Sequence, residues 1–93
     1  MSYELAFHED ALKEWTKLDA SIKDQFRKQL EKRLAEPRVQ SAKLSGKDMK
    51  DVYKIKLRDA GYRLVYEVCD RTVTVLVLAV GRRARVRLIA GPV

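Results

Sequence analysis

Val52-Tyr53-Lys54-Ile55-Lys56-Leu57-Arg58, then Asp59-Ala60-Gly61, then Tyr62-Arg63-Leu64-Val65-Tyr66-Glu67-Val68, is the stretch from which the fold can be read. Each arm alternates with period two, the pattern of a half-buried strand. Tyr53, Ile55 and Leu57 share one side of the first arm, and Lys54, Lys56 and Arg58 share the other. On the second arm Tyr62, Leu64, Tyr66 and Val68 stand against Arg63, Val65 and Glu67. The intervening Asp59-Ala60-Gly61 predicts a turn, so the arms form an antiparallel hairpin. Directly opposed residues of such a pair share a face. For the apolar sides to join in one core, odd positions of the first arm must oppose even positions of the second. A two-residue or a four-residue turn meets that condition, and either one gathers Lys54, Lys56, Arg58 and Arg63 on the other face.

Working outward, Asp70-Arg71-Thr72 predicts another turn, into an apolar strand over Val73 to Val80. Upstream, residues 38–51 read as a polar loop with Ser45-Gly46-Lys47-Asp48 as its turn. Before it, Ile22, Phe26, Leu30 and Leu34 recur every four residues, the stripe of an amphipathic helix that Glu36-Pro37 ends. Ala11, Leu12, Trp15 and Leu18 mark a shorter helix, with Glu9 and Asp10 at its positive end. The break Asp19-Ala20-Ser21 supplies Asp19 or Ser21 as a cap for the second helix. Tyr3, Leu5 and Phe7 alternate as a short first strand. The expected architecture is α+β: an N-terminal strand, an antiparallel helical hairpin, and a three-stranded antiparallel meander. Two helices cover one face of that sheet, the Tyr53/Ile55/Leu57 face, and leave the cationic face open. Residues 1–93 make one domain, a length at which a single core is feasible but thin.

Charge agrees with this division. The net charge is +7, but seven Lys/Arg meet eight Asp/Glu up to residue 36, and thirteen meet five beyond it. A focused positive surface selects for polyanions, either nucleic acid or an acidic protein partner. Solvated strand faces usually mix Thr, Glu, Gln and Lys, whereas this one concentrates cations, which points to phosphate binding over solubility alone. Glu67, the one acid on that face, is read as an ion-pairing residue. Cys69 is the single cysteine, so no intramolecular disulfide or cysteine-based metal cluster forms, and its acidic flanks Glu67 and Asp70 argue against an activated thiol. His8, the single histidine, stands where a helix begins and reads as a local cap. No secretory signal is expected at Met1-Ser2-Tyr3-Glu4, and the apolar run Val75 to Val80 is too short to span a bilayer, so the expected address is cytoplasmic, with no membrane association and no cofactor.

Cleavage of RNA by its own 2′-hydroxyl needs a base for that hydroxyl, stabilisation of the phosphorane, and an acid for the departing 5′-oxygen. His and Glu are the usual groups. A lysine cluster can replace them in principle, since neighbouring cations lower a lysine's pKa while the others stabilise the developing charge.

The residues resemble a known family. Tyr53-Lys54-Ile55-Lys56-Leu57-Arg58 with Gly61-Tyr62-Arg63-Leu64-Val65-Tyr66 is similar to the core of the RelE-type toxins of the RelE/ParE superfamily. Ala11-Leu12-Lys13-Glu14-Trp15, Lys17-Leu18, Ala42-Lys43-Leu44 and Val80-Gly81-Arg82-Arg83 match as well, in order, so the resemblance runs from about residue 2 to residue 83. It implies a microbial-ribonuclease-like fold and a metal-independent endoribonuclease that cuts mRNA in the ribosomal A site and inhibits translation. It also implies a RelB-like antitoxin as partner, with operator DNA bound only through the toxin–antitoxin complex. By position, Lys54, Lys56, Arg63 and Arg83 match the family's active-site cations. Lys56 would be the base, Arg83 would assist the leaving group, and Lys54 and Arg63 would hold the phosphate. Arg58, Arg82 and Arg85 are the further cations assigned to RNA or ribosome contact.

The resemblance breaks after Arg83. Family members continue with an acid and a C-terminal helix carrying a tyrosine that stacks on the substrate. This chain has Ala84 and Ile89 at those places, and Gly91-Pro92 precludes a longer helix, so residues 84–93 form an atypical tail. A stacking group of about 1–3 kcal/mol is thereby missing. Two readings follow from the tail: an active toxin, or a catalytically weakened homologue that retains antitoxin binding and operon autoregulation. A third reading, a general nucleic-acid-binding domain, fits less well because few aromatics flank the cations.

Overall fold

A computed structural model describes residues 2–44 and 50–82. The chain runs β1 (Glu4–Phe7), α1 (Glu9–Thr16), α2 (Ala20–Ala35), a 3-10 turn (Gln40–Ala42), β2 (Val52–Leu57), β3 (Tyr62–Cys69), a second 3-10 turn (Asp70–Thr72) and β4 (Thr74–Arg82). The expected α+β order is present. One pairing was not expected: β1 adds to the meander on its far side, parallel to β4, giving a mixed sheet in the order β1-β4-β3-β2.

Both helices form where the apolar spacing places them. His8 caps α1, its Nδ1 accepting from the Asp10 amide at 3.2 Å, as its position in the sequence suggested. Asp19 holds the cap position of α2 with extended backbone but makes no side-chain capping bond. Glu36, before Pro37, closes that helix. The helices pack Ala11, Trp15, Ile22, Phe26 and Leu30 onto Tyr53, Ile55, Leu57, Leu64, Tyr66, Val68, Val75 and Val77. Phe26, Leu64, Val75 and Val77 are completely shut from solvent. Burying an aliphatic or aromatic side chain of this size stabilises the fold by about 1.5–3 kcal/mol, so this seam carries most of the fold's stability.

The hairpin closes with Leu57 opposite Tyr62, a four-residue loop. Gly61 makes it possible: at φ 73° it occupies the left-handed region, and its amide donates to the Leu57 carbonyl at 2.8 Å. Tyr53 therefore meets Tyr66 and Ile55 meets Leu64 on the helix side, and Lys56 meets Arg63 on the other. These residues face as their alternation predicts. Arg58 does not, because β2 ends at Leu57 and Arg58 lies exposed in the loop, where alternation no longer fixes its face.

Two further expectations are corrected. The strand after the second turn starts at Thr74 rather than Val73, because Val73 takes a left-handed conformation (φ 50°, ψ 52°) to end the 3-10 turn. The face away from the helices is also not bare. Val52, Val65 and Ala79 are buried there, with Leu44 and Leu78 packed against them. Leu44 arrives because the preceding loop pairs with the edge of β2: Lys43 bridges to Tyr53, and the Leu44 amide donates to the Val52 carbonyl at 3.0 Å. The turn expected at residues 45–48 lies outside the described residues.

Candidate nucleic-acid interface

The face is assembled row by row across three strands. Lys56, Arg63 and Gly81 form one row and Lys54, Val65 and Ala79 the next. Val52, Glu67 and Leu76 follow further along. Two cations stand directly opposite each other in the first row, and a third lies one row away on the same strand. The rows owe their make-up to a bulge. β3 and β4 pair regularly from Cys69↔Thr74 to Tyr66↔Val77 and again from Val65↔Ala79, leaving Leu78 as the extra residue. A bulge reverses the alternation of the strand that carries it. Val80 thereby returns to the core opposite Leu64, and Ala79 and Gly81 turn to the cationic face. Small residues on β4 thus stand beside Arg63 and Val65.

The sequence-predicted site residues that are described separate into three groups. Lys54, Lys56 and Arg63 are brought together, each half-buried. Arg58 stands apart in the exposed loop. Arg82 pairs with Tyr62 and so faces the helix side, its guanidinium 5.9 Å from the Tyr62 ring centre, away from the other three. The bulge sets the face of Arg82, and nothing in the apolar run before it marks that bulge. Arg83 and Arg85 lie outside the described residues, as do Ala84, Ile89 and the Gly91-Pro92 end.

The electrostatics favour an anionic ligand. Four ion pairs occur among the described residues, and none includes Lys54 or Arg63. Glu67 pairs with neither, contrary to its expected ion-pairing role; it lies opposite Val52 and Leu76, beyond the Lys54 row. The Arg63 Nε is shut from solvent with no acceptor among the described residues. That unpartnered donor carries a desolvation cost, and a guanidinium fork beside two lysines matches the geometry and charge of a phosphate. The buried patch of Val52, Val65 and Ala79 next to these cations lowers the local dielectric, which strengthens their action on developing negative charge. Among the described residues no three His, Cys, Asp or Glu side chains are grouped to hold a metal ion, and no helix is long and apolar enough to cross a membrane.

Residues that the sequence did not single out support the face from behind and from its far end. Arg33, on α2, donates through Nη1 to the Tyr66 hydroxyl at 2.8 Å and to the Lys54 carbonyl at 3.2 Å. Tyr66 in turn donates to the Pro37 carbonyl at 2.6 Å, and its ring stacks on Tyr53. Burial pushes the Tyr66 phenol up, with the Arg33 charge opposing, so it remains a neutral donor. At the other end of the sheet Arg38 grips Asp70 through two hydrogen bonds of 3.0 Å and reaches Asp51 at 3.3 Å. The Tyr3 hydroxyl also donates to Asp70, at 2.8 Å. These donors hold the Asp70 carboxyl below the usual carboxylate range, Arg38 first and Tyr3 second. Cys69, the last residue of β3, has its thiol pushed up by burial and then by Glu67, Asp51 and Asp70, which suits the inert strand-end role expected of it.

Comparison with known proteins agrees with the geometry. The family described as the ParE toxin of the type II toxin–antitoxin system, parDE, matches residues 5–87. The mRNA interferase toxin RelE of Escherichia coli is 52% identical over 85 residues, covering 91% of this chain and 87% of that protein. The crystal structure of the isolated E. coli RelE toxin superimposes with a TM-score of 0.85 at 47% identity, covering 96% of this chain and 93% of the other. RelE in the intact E. coli RelBE toxin–antitoxin complex does so with a TM-score of 0.84 at 50% identity, covering 90% of this chain and all (100%) of that one.

Proposed function

Because the chain belongs to the RelE/ParE toxins of type II toxin–antitoxin systems, we propose that it is an mRNA endonuclease that cleaves mRNA in the ribosomal A site and so inhibits translation. The observation that carries this reading is the facing pair Lys56 and Arg63, with Lys54 one row away. In the proposed reaction Lys56 takes the proton of the 2′-hydroxyl, whose oxygen attacks the adjacent phosphorus. Lys54 and Arg63 hold the phosphoryl oxygens. Arg83 assists departure of the 5′-oxygen. No step calls for a metal ion. Arg58, Arg82 and Arg85 are assigned to contacts with the ribosome or the RNA outside the reacting centre, Arg82 from the helix side of the hairpin end. A RelB-like antitoxin is the neutralising partner, operator DNA is bound through that complex, and the toxin acts in the cytoplasm.

The test uses ribosomes carrying a defined codon in the A site. Wild-type protein is expected to cut the bound message, and Lys56→Ala to lose cutting while keeping its circular dichroism spectrum. Intact message on programmed ribosomes with the wild-type protein overturns the reading.

The second reading, a catalytically weakened homologue that keeps antitoxin binding, is favoured by Ala84 and Ile89 at the places of the family's acid and stacking tyrosine. Ala84→Glu combined with Ile89→Tyr separates the two. Cutting that appears only in this double variant identifies the native tail as the lesion.

A further inference from the structure

Strand β2 is an edge strand, and the carbonyls of Val52 and Lys54 point away from β3 toward the same outer side. The Val52 carbonyl receives the Leu44 amide at 3.0 Å, where the preceding loop runs alongside. At Lys54 the acceptor is served instead by a helix side chain, Arg33 Nη1, at 3.2 Å. The same nitrogen donates to the Tyr66 hydroxyl at 2.8 Å, and the guanidinium carbon lies 5.8 Å from the Tyr66 ring centre. Tyr66 is fully buried, is bonded to the Pro37 carbonyl, and pairs with Tyr53 across the hairpin. Arg33 therefore stands at a junction of α2, the chain after it, β3 and the backbone of Lys54.

From this geometry we propose that Arg33 is a positioning residue for the cationic site: it fixes the main chain of β2 at Lys54 and thereby the direction in which Lys54 and Lys56 leave the sheet. The proposal rests on the mRNA-cleavage reading for its functional consequence, although the anchoring itself does not. An unanchored edge strand can shift by fractions of an ångström, and a reaction that depends on several aligned groups is sensitive to shifts of that size. Arg33 touches neither substrate nor reacting atoms, so its loss acts on turnover through Lys54 and Lys56. The Arg38–Asp70 cluster offers a natural contrast, since it stabilises the opposite end of the same sheet without touching β2 at these residues.

The experiment compares Arg33→Gln with Arg38→Gln in the full chain, with Lys56→Ala as the inactive reference. Two readouts are taken: kcat and KM on programmed ribosomes, and the 13Cε resonance of Lys54 in the free protein alongside the methyl resonances of Val75 and Val77. Arg33→Gln should lower kcat by roughly fivefold or more with KM within about twofold. It should also move the Lys54 resonance while the core methyls stay in place. Arg38→Gln should lower the unfolding midpoint without changing kcat. An Arg33→Gln protein with unchanged kcat and an unmoved Lys54 resonance overturns the proposal. So does a loss of kcat that tracks lowered stability equally in both variants, because that is the signature of a merely structural role. If the wild type itself fails to cut, the cleavage reading falls, and the Lys54 resonance alone then decides the anchoring.

Discussion

Arg63→Met should make this protein more stable while destroying its proposed activity. Lys56 and Arg63 are direct cross-strand partners. Like charges so placed destabilise a sheet by about 0.2–1 kcal/mol. The Arg63 Nε adds a second cost, since it is removed from water without an acceptor among the described residues. A buried donor left in that state costs about 1–3 kcal/mol. Methionine keeps most of the aliphatic stem, so little packing is lost with the guanidinium. Because Arg63 as a whole is only half-buried, the lower parts of these ranges apply, and the net gain should be about 1 kcal/mol. For a domain of this size that corresponds to a rise of about 4–8 °C in Tm. Urea unfolding of both proteins, at about 0.1 M and about 1 M salt, separates the two contributions, because the screening length falls from about 10 Å to about 3 Å. The repulsive part should shrink at high salt and the desolvation part should persist. A variant less stable than wild type at both salt concentrations refutes the reasoning, for it would mean that Arg63 contributes more through packing than it costs.

Val73→Gly should also stabilise the fold, by about 1 kcal/mol, since a β-branched residue in the left-handed region is strained and glycine is not. Val73 is 42% exposed, so little buried surface is lost with its side chain, and a lower midpoint in thermal unfolding would contradict this. Asp70→Asn should flatten the acid limb of the stability profile. The folded carboxyl lies below its ordinary value of 3.8, so the stability it confers is present above that pH and is lost as pH falls through the lower folded value. Wild type and variant should therefore differ most near neutrality and converge in acid; a constant difference from pH 7 to pH 2 would show that the Arg38 contact does not carry the effect.

The strand pair that carries the site was legible because its two faces differ in chemistry. Tyr53/Lys54/Ile55/Lys56/Leu57 can be set against Tyr62 to Val68 with only one parity if a core is to form, and the observed pairing, one of the two registers that share it, has that parity. β4 was not legible in this respect. Val75-Leu76-Val77-Leu78-Ala79-Val80 is apolar at every position. No alternation exists there from which to see that the phase changes at Leu78, and the faces of Gly81 and Arg82 depend on that change. The parallel pairing of β1 was hidden for another reason. A four-residue strand does not announce its partner, and the choice is made by contacts distant in sequence, such as the Glu4 amide to the Val73 carbonyl at 2.8 Å.

Arg33 shows what a sequence pattern discards. On a charged helix it looks like Lys28 or Lys32, a residue of the solvated side. Its position carries a signal nonetheless: it falls seven residues after Phe26 and three after Leu30, on the border of the apolar stripe rather than opposite it. A long cationic side chain at such a border reaches into the space where helix and sheet edge meet. There it can satisfy an acceptor that no strand among the described residues serves, and on this edge strand that acceptor is the carbonyl of Lys54. The cationic face therefore depends on the helix layer behind it as well as on the hairpin. Lys54 and Lys56 project from one side of β2, and Arg33 holds the same strand from its edge.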